Sequence, residues 1–126
     1  MNSNTNWGPD AWYKFHREAA KYPDYPTNYD AKRITYFYYQ KFLEYIDCPS
    51  CKKEYIRIIN NNTIKIYSKI DLFMWTVDIH NAINSKLGKK IISYDEAFKL
   101  WNMRFPIQYG YDSYPIPQKI NYYNYL

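Results

Sequence analysis

Residues 68–90 read SKIDLFMWTVDIHNAINSKLGKK, and this stretch contains the signals for a complete helix and both of its ends. Ser68, followed three residues later by an acidic residue, is typical of a helix start in which a short polar side chain caps the first turn. Gly88 stands where a helix commonly ends. Because His80 and Asn84 are four residues apart, they share one face of this helix. The stretch therefore predicts a long helix that carries polar groups among its apolar ones.

Four further helices are predicted from start and stop signals of the same kind. They are residues 9–21, opened by Gly8 and Pro9 and stopped by Pro23; residues 28–46, capped by Thr27 and Asp30; residues 49–59, which start at Cys48 and Pro49; and residues 94–105, capped by Ser93 and Glu96 and ended by Pro106. Residues 63–68 alternate like a strand, but no nearby segment could pair with them, so a loop is expected there. Short loops between amphipathic helices predict an all-α fold, a four-helix bundle with a short additional fifth helix.

The length of 126 residues fits one compact domain. We expect this domain to span residues 1–105. A Tyr- and Pro-rich tail, residues 106–126, is too irregular for a helix and is expected to lie against the body of the domain or against a partner.

The net charge is +5, with an isoelectric point of about 9.0, which favours an anionic ligand. The lysines are scattered along the chain, so a solvated basic surface is a better interpretation than nucleic-acid binding. No apolar run approaches the roughly 20 residues needed to cross a bilayer, and the N-terminus lacks a signal-peptide core. The expectation is a cytoplasmic protein without a membrane span.

Cys48 and Cys51 are the only cysteines in the chain. At positions i and i+3 of a helix's first turn they lie on one face, close enough to form a disulfide. The N–H groups and the positive end of the helix dipole stabilise a thiolate there. We therefore expect Cys48 to be the more acidic and more exposed thiol, and Cys51 to be shielded.

Three kinds of site use a cysteine pair of this spacing. A thioredoxin-like fold requires strands around the motif, and none is predicted. A zinc site requires two more ligands, and His16 and His80 lack the usual clustered spacing, so no metal is expected. A redox-active disulfide beside a bound cofactor is favoured.

Three segments together resemble the Erv/ALR family of FAD-dependent sulfhydryl oxidases. The first, WGPDAWYKFHREAAKYPDYPT, contains Trp12 and His16 at the spacing of the family's opening helix. The second is the CxxC motif itself, preceded by the aromatic Tyr45. The third, HNAINSKLGKK, is similar to the family signature HNxVNxxLGK from His80 onward. The resemblance runs from about Trp7 to Trp101.

The resemblance implies FAD as the cofactor and a redox disulfide formed by Cys48 and Cys51. The residues that it implies for FAD binding are Gly8, Trp12, His16, Tyr22, Tyr45, His80, Asn81, Asn84, Lys86, Leu87, Lys89 and Trp101. It further implies that electrons pass from a protein dithiol through the cysteine pair to FAD and then to O2, giving H2O2. The alternative is a non-catalytic helical interaction module whose CxxC is structural or binds zinc.

Two departures from the family pattern bear on partners. Many members carry a further shuttle disulfide, and this chain has no cysteine for one, so we expect Cys48 to meet its substrate directly or through a thioredoxin-like or other CxxC relay protein. Many also carry a disulfide between the fourth and fifth helices, where this chain has Val77 and Tyr94. The minimal two-cysteine form resembles that of large cytoplasmic DNA viruses, which implies a location in the host cytoplasm, the virus factory or the virion. The family is usually dimeric, so a homodimer is expected.

Overall fold

The computed structural model describes residues 8–103, and within that range the chain forms helices and no strand. The elements are α1 (Pro9–Ala20), α2 (Asn28–Tyr39), a short 3-10 helix (Lys41–Tyr45), α3 (Pro49–Asn60), α4 (Lys69–Lys86) and α5 (Tyr94–Leu100). The predicted all-α class is therefore confirmed. Residues 63–68 contain neither helix nor strand, as predicted for this loop. Trp7 and the predicted tail, residues 106–126, lie outside the described residues.

The helix starts follow the capping residues that the sequence indicates. Thr27 and Asp30 form a reciprocal capping box at α2, and Ser93 and Glu96 form another at α5. The Ser68 hydroxyl accepts the N–H of Asp71 at the start of α4. These bonds satisfy N–H groups that have no partner within the helix.

Helix α4 lies at the centre of the fold, because α1, α3 and α5 all pack against it. Its buried residues are Leu72, Phe73, Trp75, Thr76, Val77, Ile79, His80, Ile83 and Asn84. They are spread around the helix, as expected for a helix covered on several sides. None of the helices described here combines the length and the apolar character needed to span a bilayer.

The prediction of a single helix over residues 28–46 is wrong, because the α-helix ends at Tyr39. Gln40 has φ −128° and ψ −60°, and a 3-10 helix follows it. The carbonyl of Tyr38 would accept the N–H of Phe42 in an uninterrupted helix. Here that carbonyl accepts the hydroxyl of Tyr55 on α3 at 2.6 Å. The break also buries Phe42 completely, and its ring lies 5.4 Å from that of Tyr55.

The predicted end of the fifth helix at Pro106 is also wrong, because α5 ends at Leu100. Asn102 adopts the left-handed conformation with φ 55°. The N–H of Met103 then reaches back to the carbonyl of Phe98 at 2.8 Å, and the N–H of Asn102 reaches Lys99 at 3.1 Å. This is a Schellman end, in which asparagine takes the position that glycine usually holds.

The end of α4 has the same form, with Gly88 at the left-handed position (φ 71°). The N–H of Lys89 bonds to the carbonyl of Asn84 at 2.8 Å, and the N–H of Gly88 bonds to Ser85 at 3.2 Å. The predicted helix end at glycine is therefore confirmed. The motif turns the chain sharply toward α5.

Polar bonds connect α4 and α5 where many relatives were expected to carry a disulfide. Val77 is buried, and the Tyr94 hydroxyl donates to Asp78 at 2.6 Å. This hydrogen bond, with burial, raises the pKa of Tyr94 to about 12. Next to it, Asn81 donates to the carbonyl of Ile92 at 2.8 Å and accepts the N–H of Ile92 at 3.2 Å.

We expect Tyr55→Phe to lower the free energy of unfolding by about 1–2 kcal/mol, because the Tyr38 carbonyl would stay buried without its side-chain donor. Urea denaturation followed by circular dichroism measures the change. Tyr29→Phe is the matched control, since it removes the same hydroxyl from a side chain that is 72% exposed. Equal unfolding midpoints for the two variants would contradict the role assigned to the Tyr55 hydroxyl.

Candidate functional site

The cysteine pair lies at the start of α3, where the sulfur of Cys48 serves as the helix cap. The N–H of Cys51 donates to Cys48 Sγ at 3.2 Å, and Ser50 Oγ lies 3.0 Å from the same sulfur. Pro49 occupies the first helical position and has no N–H to leave unpaired. Both cysteines are free thiols. The helix start therefore directs an N–H at one of the two sulfurs and places a hydroxyl beside it.

The two thiols differ in acidity in the direction expected from the sequence. Hydrogen bonds from Cys51 and Ser50 hold the pKa of Cys48 below its usual value. Burial, together with the hydrogen bond to Cys48, raises the pKa of Cys51 to about 11. Both residues are half-buried, so their exposure differs less than expected, but Cys51 packs against the hydrophobic core. Cys48 is thus the sulfur that more readily carries negative charge.

A second group of residues forms a buried aromatic cluster between α1, α4 and the end of α5. The rings of Trp12 and His80 are stacked, with centroids 3.5 Å apart and planes within 9°. The ring centroid of Trp101 lies 6.0 Å from that of His16 and 5.3 Å from that of Tyr13. Residues that lie far apart in the sequence thus meet in one place and provide several planar faces.

The two histidines bond to each other within this cluster. His16 Nε2 lies 2.7 Å from His80 Nδ1, and His16 Nδ1 lies 3.0 Å from Thr76 Oγ1. Burial lowers the pKa of His16 to about 3. Burial, with smaller effects of His16 and Lys89, holds the pKa of His80 well below its usual value. Both rings are therefore neutral at physiological pH, and Lys89 lies near enough for its charge to act on His80.

The asparagines predicted to bind the cofactor hold the segment after α4 through their side-chain amides. Asn81 forms the pair of bonds with Ile92 described above, and Asn84 Nδ2 donates to the carbonyl of Lys90 at 3.0 Å. Lys86 extends from the end of α4 and lies 2.9 Å from Glu54 on α3. The salt bridge therefore links α3, which starts at the cysteine pair, to α4, which carries His80.

The remaining candidate residues are Gly8, Tyr22, Tyr45 and Leu87. Gly8 precedes α1 with φ 85°, a conformation suited to glycine. Tyr22 is buried and its hydroxyl donates to the carbonyl of Ile66 at 2.9 Å, which ties the end of α1 to the 63–68 loop. The Tyr45 ring lies under the ammonium of Lys14 at 5.3 Å. Leu87 follows the last residue of α4 and is partly exposed.

These residues fit a flavin nucleotide by their chemistry. Trp12, His80 and Trp101 are planar side chains of the kind that contact aromatic rings, and here the rings of Trp12 and His80 stack on each other. The cations Lys86 and Lys89 at the end of α4 suit phosphate oxygens. Between residues 8 and 103, no group of three or more His, Cys, Asp or Glu side chains is placed to hold a metal ion.

Sequence reasoning missed three side chains that act on the predicted ones. Thr76 bonds to His16, Ser50 bonds to Cys48, and Glu54 pairs with Lys86. Thr76 precedes His80 by four residues, so helical spacing places the two on one face and could have indicated it. The pairing of Glu54 with Lys86 joins two helices and leaves no pattern in the sequence.

Comparison with known proteins gives consistent matches over the same region. A model of the Erv1 / Alr family matches residues 9–106. The probable FAD-linked sulfhydryl oxidase of Acanthamoeba polyphaga mimivirus is 32% identical over 100 residues, which cover 77% of this chain and 69% of that protein. The FAD-linked sulfhydryl oxidase of African swine fever virus is 29% identical over 107 residues, which cover 83% of this chain and 89% of that protein.

Solved structures match as well. The crystal structure of the FAD binding domain of Erv1 from Saccharomyces cerevisiae aligns with a TM-score of 0.69 at 28% identity, covering 75% of this chain and 90% of that domain. The yeast Erv1 core aligns with a TM-score of 0.70 at 27% identity, covering 84% of each chain.

We expect Ser50→Ala to raise the pKa of Cys48, because the thiolate loses one of its hydrogen bonds. The pH dependence of Cys48 alkylation in the reduced protein, followed by mass spectrometry, should move to higher pH. Ser85→Ala, at an exposed position on α4, makes the same chemical change and should leave the profile in place. Coincident profiles for Ser50→Ala and the wild type would show that this hydroxyl does not act on Cys48.

Proposed function

This chain belongs to the Erv1 / Alr family, and from that premise we propose that it is a FAD-linked sulfhydryl oxidase that uses Cys48 and Cys51 as its redox pair. The family predicted from the motifs is confirmed by the match over residues 9–106. One observation carries the proposal: a cysteine pair at a helix start packs, through Cys51, against the same hydrophobic core that contains Trp12 and Trp101. A dithiol and a set of planar side chains thus share one small bundle.

The proposed reaction on the protein starts from the disulfide between Cys48 and Cys51. A thiolate of the substrate attacks Cys48 Sγ, which breaks that disulfide and releases Cys51. The second thiolate of the substrate then attacks the substrate sulfur that is bonded to Cys48. This breaks the mixed disulfide and releases Cys48. The substrate gains a disulfide, and the cysteine pair gains two electrons and two protons.

The surroundings of each sulfur support this order. Cys48 is the leaving group in the second step, and donors that stabilise its thiolate make it leave more readily. Cys51 packs against the core, which supports its assignment as the sulfur that faces the cofactor. FAD, when bound, accepts the electron pair and passes it to O2, giving H2O2.

The residues proposed to hold FAD are those whose chemistry fits it. Trp12, His80 and Trp101 provide planar faces, while Lys86 and Lys89 provide positive charge. His16 acts behind them, because its hydrogen bond fixes the ring of His80. Asn81 and Asn84 hold the segment that carries Lys89.

The proposed substrate is a protein dithiol. Because these 126 residues contain no cysteine besides the pair, we infer that Cys48 exchanges directly with the substrate or with a CxxC relay protein of thioredoxin type. Relatives from mimivirus and African swine fever virus support a viral origin. The proposed location that goes with it is the host cytoplasm, the virus factory or the virion.

A homodimer through α1 and α2 is also proposed. Its support is the aromatic surface of α2, where Tyr29 is 72% exposed and Tyr36 is 61% exposed. Exposed aromatic side chains of this kind are enriched where proteins associate.

We expect the purified protein to be yellow, with flavin absorption at about 450 nm, and to consume O2 when dithiothreitol is added. Cys48→Ser and Cys51→Ser should each reduce O2 consumption to the rate of free FAD, since neither variant can form the disulfide. Equal flavin absorbance in all three proteins controls for folding and cofactor binding. A colourless wild type, or equal O2 consumption by all three, would contradict the oxidase and favour a non-catalytic module.

We expect Lys86→Gln to weaken FAD binding about three- to tenfold, because a charge-assisted contact with an anionic ligand is lost. Glu54→Gln should strengthen binding by less than about fivefold, since Glu54 competes for Lys86 through an exposed salt bridge. Fluorescence quenching of FAD by flavin-depleted protein gives both dissociation constants.

Lys65→Gln is the matched control, because it removes the same charge from an exposed position in the 63–68 loop. Identical affinities for Lys86→Gln and Lys65→Gln would exclude Lys86 from the cofactor site.

A further inference from the structure

Thr76 lies at one end of a chain of buried hydrogen bonds that runs from α4 to α1 and back to α4. Its Oγ1 lies 2.6 Å from the carbonyl oxygen of Phe73 and 3.0 Å from His16 Nδ1. His16 Nε2 lies 2.7 Å from His80 Nδ1. Thr76 and both histidines are at most 1% exposed, so the protein itself must satisfy these polar atoms.

The proton of the Thr76 hydroxyl determines the direction of the whole chain. A carbonyl oxygen can only accept, and two oxygen acceptors 2.6 Å apart require a hydrogen between them. The hydroxyl therefore donates to Phe73 and must accept from His16. It follows that His16 carries its proton on Nδ1.

The same logic then fixes His80. A neutral imidazole has one donor and one acceptor nitrogen. With its proton on Nδ1, His16 can only accept at Nε2, so His80 Nδ1 must donate to it at 2.7 Å. His80 in turn has no proton on Nε2, and that nitrogen is an acceptor.

We propose that Thr76 is a positioning residue that holds both buried histidines in the Nδ1–H tautomer, so that His80 Nε2 can only accept a hydrogen bond. The burial that keeps the pKa of both rings low supports two neutral rings rather than a shared extra proton. If His16 instead carried its proton on Nε2, His16 Nδ1 and Thr76 Oγ1 would face each other as two acceptors.

The proposal specifies the kind of group that His80 can recognise. A ligand atom at His80 Nε2 must bring a hydrogen-bond donor, such as an exocyclic amine or a sugar or ribityl hydroxyl. A bare carbonyl or phosphate oxygen would meet a lone pair. This consequence rests on the proposed function, because it concerns FAD, whereas the tautomers themselves do not depend on it.

The tautomers can be tested directly, because the chain contains two histidines in all. In untagged protein labelled with 15N-histidine, long-range 1H–15N correlation spectra distinguish Nδ1–H from Nε2–H rings. We expect both histidines of the wild type and of Thr76→Ser to be Nδ1–H, since serine keeps the hydroxyl. In Thr76→Val, a nearly isosteric change, an Nε2–H population should become measurable.

Binding provides the second readout. We expect Thr76→Val to bind FAD about tenfold more weakly, the effect of losing one well-placed buried hydrogen bond. Thr76→Ser should bind within about twofold of the wild type. Thr35→Val on α2 makes the same chemical change away from this chain of bonds and should leave both tautomers and affinity unchanged.

The outcomes separate this proposal from the proposed function. An Nε2–H ring in the wild type, or unchanged spectra in Thr76→Val, would overturn the role of Thr76 whether or not flavin binds. A tautomer change without a loss of FAD affinity would overturn the recognition by His80. A wild type that binds no flavin would instead contradict the oxidase, while the spectra still decide the role of Thr76.

Discussion

The site depends on the polar contact buried between α1 and α4. Burying an imidazole is unfavourable unless its nitrogens find partners, and here His16 and His80 partner each other at 2.7 Å. This bond joins α1 to α4, and beside it the His80 ring stacks on Trp12 with ring centroids 3.5 Å apart. The residues proposed to contact the cofactor are therefore also residues that satisfy polar groups in the core.

The start of α3 combines structure and chemistry in one atom. Helix caps are usually Ser, Thr, Asp or Asn, whereas here the sulfur of Cys48 accepts the N–H of Cys51. A thiolate is a better acceptor than a thiol, so the helix start stabilises the reduced pair, and it would make the proposed disulfide a stronger oxidant. Ser50 adds to this effect through its contact with the same sulfur. Substitutions at this cap should therefore act on the redox balance as well as on the helix.

The sequence allowed most of the fold to be predicted, because the caps at Thr27, Ser68 and Ser93 are local and their partners are three residues away. Two predicted helix ends were wrong, for reasons that the local pattern of residues does not show. The break after Tyr39 involves a hydroxyl from α3, and α5 ends in a left-handed asparagine rather than at the later proline. The candidate site shows the same division. The resemblance indicated Trp12, His16, His80 and Trp101, which the structure brings together. Helical spacing could also have indicated Thr76, but Glu54 acts through a contact between helices that periodicity does not reveal.

At positions 77 and 94 this chain has valine and tyrosine instead of cysteines. The α4–α5 end of the bundle is held instead by side chains from the HNxxN segment, residues 80–84, and its neighbours. The side chain of Asn81 bonds to the backbone of residue 92, and that of Asn84 bonds to the backbone of residue 90. The Tyr94 hydroxyl donates to Asp78. Because these bonds determine where the chain passes after Gly88, they also determine where Lys89 lies relative to His80. Asparagine in this segment therefore cannot be assigned to ligand contact alone. Removing its side chain would move the basic end of the site even where the asparagine touches no ligand, so cofactor affinity and local stability should change together at these two positions.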